Sequence, residues 1–135
     1  TVTATAQRYG FTSSEELRTL TGMASGNAVE NWTSTRDCGS FLSQVYAGTL
    51  VSKNASERMM QLLLGQTRRT KIPAGVPSGV KVANKTGELA AVQNDVAIVF
   101  GTHPYVLAVM SSDISSAVAP SQITELSRAV WDAAQ

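Results

Sequence analysis

Lys85-Thr86-Gly87 sets a cation, a hydroxyl and an unhindered stretch of backbone side by side in an apolar, strand-like run. Val80-Lys81-Val82-Ala83-Asn84 leads into it, and a second β-like run, Val96-Ala97-Ile98-Val99-Phe100, follows. On a strand Lys85 and Gly87 face one way and Thr86 the other. Gly87 carries no Cβ, so a ligand can lie close against the chain there. Nucleophilic attack would need a further element, such as a serine at a helix start with a lysine one turn on. Ser78-Gly79-Val80-Lys81 has those letters. A loop glycine separates the pair and a strand begins, so the two side chains would not meet as they do on a helix. These residues offer groups that could bind a ligand, and no serine–lysine pair is assembled beside them.

Other reactive side chains have plainer readings. Cys38 lies on the apolar face of a capped helix and reads as core, since a reactive thiolate needs an open, electropositive setting. It is the single cysteine, so no intrachain disulfide forms. His103, the one histidine, lies in a hairpin turn without a second metal-ligating partner nearby, so no metal or other cofactor is expected. Asn94-Asp95 reads as a side-chain cap on a turn over Glu88–Gln93. Arg68, Arg69 and Lys71 read as a solvated basic loop.

The elements that position these residues change character midway. Residues 1–9 read as the end of a helix stopped by Gly10. Ser13 or Ser14 reads as the cap of a short helix through Leu20. Residues 21–33 are irregular, broken by Gly22, Gly26, Asn27 and Asn31. Ser34-Thr35-Arg36-Asp37 resembles a capping box ahead of the periodic face Cys38, Phe41, Leu42, Val45, closed by Gly48. A second helix starts at Asn54 with the stripe Ala55, Met59, Leu62, Leu63. After a loop over 66–80, with an apolar tuck at Ile72 and Val76, strands are expected at 80–86, 93–101 and 105–112. A helix over 118–134 follows, with Pro120 in its first turn and Ile123, Leu126 and Val130 as its stripe. The fold class is α+β: an antiparallel three-strand meander with helices. Its strands are apolar on both faces and need helical cover on both.

At 135 residues, 43% apolar and 16% charged, this is one domain's worth of globular chain. A net charge of +1 gives no electrostatic case for nucleic acid. No run of about 20 apolar residues is present to span a membrane.

The Lys-Thr-Gly triplet on a strand, two further strands and a terminal helix resemble the C-terminal half of the class A β-lactamase-related serine hydrolases, within the β-lactamase and penicillin-binding protein superfamily. The helix opening Thr33-Ser34-Thr35-Arg36-Asp37 resembles the threonine-rich start that follows the omega loop there. The resemblance implies one partial domain over 1–135. Residues 1–79 would be its mostly helical part, with an omega-loop-like segment at 21–33, and 80–135 its meander and last helix. Lys85, Thr86 and Gly87 would bind substrate, and the Glu88 backbone N–H would be an oxyanion-hole donor. Glu88 stands where a small residue is usual, and its carboxylate at the cleft edge would repel an anionic substrate. The Glu-x-x-x-Asn element that positions deacylating water is missing, with Glu30 and Asn31 merely adjacent.

The implied activity is acyl transfer from a β-lactam or a peptidoglycan-like amide, with the Ser-x-x-Lys and Ser-Asp-Asn motifs upstream of Thr1. The start at Thr1-Val2-Thr3 resembles a cut end. These residues alone would then be inactive. The alternative is a non-catalytic binding or structural module on the same scaffold. Expected partners are a small-molecule or peptide substrate, and either the missing N-terminal part or a second copy along strand 105–112. An extracytoplasmic location follows from the resemblance alone.

Overall fold

Serine hydroxyls begin the longer helices of the first half. The computed structural model describes residues 1–19 and 29–135. Helix α1 (Val2–Arg8) comes first. In α2 (Thr35–Ala47) the Ser34 hydroxyl accepts from Asp37 N–H, and Gly48 ends the helix at φ 72°, a left-handed turn that suits glycine. The capping box is only half made. Asp37 does not reach back to Ser34; its carboxylate is committed to Ser13 and Ser14 instead. Helix α3 (Lys53–Leu64) is capped by Ser52, two residues before the expected Asn54. Its inward face is Ser56, Met59, Met60, Leu63 and Leu64, while Leu62 is 77% exposed. The inward face is set by packing against α2 and the sheet rather than by the cap.

The helix expected from Ser13 or Ser14 is absent over the described residues 13–19, and Leu20 lies outside them. Tertiary acceptors take the donors that a helix would need. Ser13 N–H goes to Asp37 Oδ2 at 2.8 Å, and Asn31 Oδ1 takes both Leu17 and Arg18 N–H at 2.9 Å. Glu15 forms a single antiparallel bridge with Trp32 instead. Of the irregular segment 21–33, residues 21–28 lie outside the described part, and 29–33 hold no helix.

Strands β1 (Lys81–Leu89), β2 (Val92–Phe100) and β3 (Tyr105–Val109) form an antiparallel sheet in the order β1-β2-β3. Beyond Val109 only Ser112 makes an isolated bridge, to Val92, so the third strand is shorter than expected. Helix α4 (Ala119–Ala134) carries Pro120 in its first turn.

Both sheet faces are covered by helices, as the doubly apolar strands require. Leu42 of α2 packs on Ala83 and Ile98, with Leu63 and Leu64 of α3 alongside. On the other face Ile72 and Ile123 pack on Val82, Ala97 and Val99. Ile72 opens a 3₁₀ turn (Ile72–Gly75) wedged between sheet and α4. The α4 face is Ile123 with the fully buried Ser127, whose hydroxyl donates to Ile72 O at 2.8 Å; Leu126, expected inside, is 47% exposed.

Candidate functional site

The tip of the β1–β2 hairpin fixes the geometry of the Lys-Thr-Gly strand. Leu89 pairs with Val92, leaving Ala90-Ala91 as a two-residue loop. Residues flanking such a loop exchange backbone hydrogen bonds, and bonded pairs recur every second residue. Gly87 with Asn94 and Lys85 with Val96 are therefore bonded pairs. Thr86 and Glu88 alternate with them and direct their N–H and C=O groups outward. Strand β1 is an edge of the sheet, so these outward groups have no strand partner among the described residues.

Side chains alternate as expected. Lys85 lies on the α2 side and lines a cleft of about 390 Å³ with Ser14, Asp37, Cys38, Phe41 and Val96. Its ammonium donates to the outward carbonyl of Thr86. Thr86 is 7% exposed on the opposite face, and its hydroxyl has no partner among the described residues. Ser78 and Lys81 are both exposed, one in a loop and one on the first residue of β1, so the literal Ser-x-x-Lys is not assembled as a pair.

Below the Thr86 face lies a polar cluster that the sequence did not disclose. Lys71, expected in solvent, is 1% exposed, and its Nζ donates to Glu88 Oε1 at 2.9 Å and Asn94 O at 3.2 Å. Arg68 reaches the other Glu88 oxygen at 3.0 Å, and Arg69 donates to Val82 O at 3.3 Å. The basic run is thus tied to the sheet. The Glu88 carboxylate is held between Lys71 and Arg68. Asp95 is fully buried; it accepts from Ile72 N–H at 3.0 Å and Asn84 Nδ2 at 3.1 Å. Neither Asn94 nor Asp95 caps the turn. Both lie within β2, and Asn94 Oδ1 accepts from Ser111 N–H at 3.0 Å.

Glu88 and Asp95 are displaced in opposite directions. The hydrogen bond from Lys71 holds Glu88 below its ordinary 4.5; the charges of Lys71, Arg68 and Lys85 add to this, and partial burial opposes it. Burial raises Asp95 above its ordinary 3.8, against the bonds from Asn84 and Ile72. A depressed carboxylate contributes stability that is present above its unfolded value and lost as pH falls through its folded value. A raised one contributes stability that is full below its unfolded value and lost as pH rises through its folded value. Glu88→Gln should therefore make the fall of melting temperature with acid shallower, the Asp95 contribution persisting. An acid slope equal to wild type in thermal melts would contradict this.

The remaining candidates are structural. Asp37 Oδ2 ties the Ser13-Ser14 segment to α2, with Ser14 Oγ at 2.7 Å. Glu30 pairs with Arg18, and Asn31 caps the turn at Leu17 and Arg18. Both omega-segment candidates are thereby occupied. Cys38 is half-buried on the cleft wall with Sγ 3.5 Å from Thr33 Oγ1. The His103 backbone is clasped at both its N–H and C=O by the Gln135 amide. No metal-ligating cluster occurs among the described residues.

Solved structures share this fold. The chain is similar to the extended-spectrum beta-lactamase TLA-3 at 25% identity and TM-score 0.89, covering 98% of this chain and 53% of that one. It is similar to PBP-A at 25% identity and TM-score 0.84, covering 96% and 49%. A beta-lactamase from Sphaerobacter thermophilus DSM 20745 matches at 24% identity and TM-score 0.88, covering 98% and 52%. The chain thus spans about half the length of these proteins. No curated protein sequence matches it. The model of the Beta-lactamase enzyme family matches residues 1–134, and the chain belongs to that family.

Proposed function

We propose that this chain is the substrate-binding half of a serine acyl-transfer site that takes β-lactams or peptidoglycan-like amides through an acyl-enzyme. The observation that carries this is the open edge of β1. It presents the Lys85 ammonium toward the cleft, a free Thr86 hydroxyl and an outward Glu88 N–H within one short stretch. In this reading Lys85 and Thr86 bind the substrate carboxylate and Gly87 lets the substrate lie against the strand. The Glu88 N–H stabilises the tetrahedral oxyanion, a donor worth a few kcal/mol in the transition state. The serine comes from a segment outside these 135 residues. The setting is extracytoplasmic.

The test is covalent. The full-length protein, incubated with a fluorescent penicillin, should gain one adduct by intact mass, and its isolated 1–135 segment none. Absence of any adduct on the full-length protein favours the alternative, a non-catalytic module on this scaffold. That alternative draws on the engagement of Glu30 and Asn31 in local structure, which leaves neither free to position water.

The far edge of the sheet completes the proposal. Strand β3 has β2 on one side and no strand on the other among the described residues. An unpaired edge is a template for strand addition. We propose that the remainder of the domain, or a second copy when it is missing, occupies it. Residues 1–135 alone should sediment as an associated species, and a monomer over the micromolar range would contradict this.

A further inference from the structure

We propose that Lys71 is a positioning residue for this site. By holding the Glu88 carboxylate beneath β1, it keeps the strand edge receptive to an anionic substrate. The inference rests on the acyl-transfer reading above and names the substrate class for which Lys71 matters, an acyl donor carrying a carboxylate.

Glu88 and Thr86 lie two positions apart on the same face of β1, so their side chains start roughly 7 Å apart. A free carboxylate at 88 would repel a substrate carboxylate bound at Lys85 and Thr86. The structure does not leave it free. Lys71 takes one oxygen at 2.9 Å and Arg68 the other at 3.0 Å. The two cations differ in hold. The Arg68 side chain is 68% exposed, and an exposed pair is weak. The Lys71 side chain is 1% exposed and fixed additionally on Asn94 O, so it cannot swing away. Packing alone does not call for a lysine at 71, since an apolar residue of similar volume fills such a position at least as well as a buried ion pair. What the ammonium adds is a fixed partner for Glu88.

The experiment uses the full-length protein and two reporters, nitrocefin, which carries a carboxylate, and its uncharged methyl ester. The readout is the ratio of their second-order acylation rate constants. In Lys71→Met the ratio should fall about tenfold, the change lying in binding of nitrocefin and not in its maximal rate. Lys71→Met/Glu88→Gln should restore it, because no charge is then released. Loss of stability alone would slow both reporters in parallel and would not be restored. Glu88→Gln by itself, available even if Lys71→Met fails to fold, should hold or raise the ratio. An unchanged ratio in Lys71→Met, a fall that persists in the double variant, or a fall in Glu88→Gln overturns the inference while leaving the acyl-transfer reading intact. A wild type acylated by neither reporter overturns both.

Discussion

Asp95→Ala should cost about 3–5 kcal/mol, the scale for removing one partner from a buried charged network. The carboxylate is fully buried and serves two donors, Ile72 N–H and the Asn84 amide. Truncation leaves Ile72 N–H without its acceptor and Asn84 Nδ2 with Arg68 O alone, and opens a small void between β2 and the 3₁₀ turn. Asp95→Asn should be milder, about 1–2 kcal/mol. Asn84 Oδ1 has no partner in the native arrangement, so an Asn84 flip would let it accept from the new amide. Urea unfolding measures both. Equal losses for the two substitutions would mean that packing, not acceptor loss, dominates at this position.

Gly75→Ala should be comparably damaging, about 3 kcal/mol, at the upper end for overpacking. A Cβ there would stand 2.5 Å from Thr124 O and 2.5 Å from Ser127 Cβ. The first of these is helix backbone, so relief requires α4 to move as a unit. That movement would pull Ser127 from Ile72 O and Thr124 from its two bonds, to Thr70 O and Lys71 O. Adding Ser127→Gly should therefore not rescue the variant. Gly101→Ala is the contrast: the three atoms nearest its Cβ would all belong to the end of the Gln135 side chain, which can move aside at the loss of its two bonds to His103, and the cost should stay within about 1 kcal/mol. Thermal melts that place the two alanine variants together would overturn this reading of how α4 docks.

Much of the fold was legible because local chemistry and period agreed. In α2 the serine cap, the apolar spacing and the terminal glycine all point to one helix, and that helix forms. The doubly apolar strands demanded helices on both faces and have them. What stayed hidden was decided at long range. Residues 13–19 carry helix-start signals, yet Asp37 and Asn31 capture their N–H groups from 13 to 24 residues away. Lys71 reads as solvated until Glu88, 17 residues on, is placed over it. Asp95 was read as a turn cap because Ala90-Ala91 lacks the Asn-Gly or Asp-Gly signature of a tight hairpin, which obscured where the tip lies. Of the candidate site, the Lys85–Glu88 stretch was visible as a motif. The cations beneath it were visible only as a charge run.

The two-alanine tip also acts as a parity counter for this stretch. Pairing in β1 and β2 runs without a bulge from Leu89–Val92 to Lys81–Phe100. Residues added between Ala90 and Ala91 lie beyond the last pair and leave the count untouched. One residue added between Glu88 and Leu89 shifts everything before it by one step, exchanging the faces of Lys85 and Thr86 and turning the Glu88 N–H inward. Lengthening of this hairpin in descendants or in the laboratory is thus channelled to its tip, and single-residue insertion scanning should show a sharp boundary there between tolerated and silent proteins.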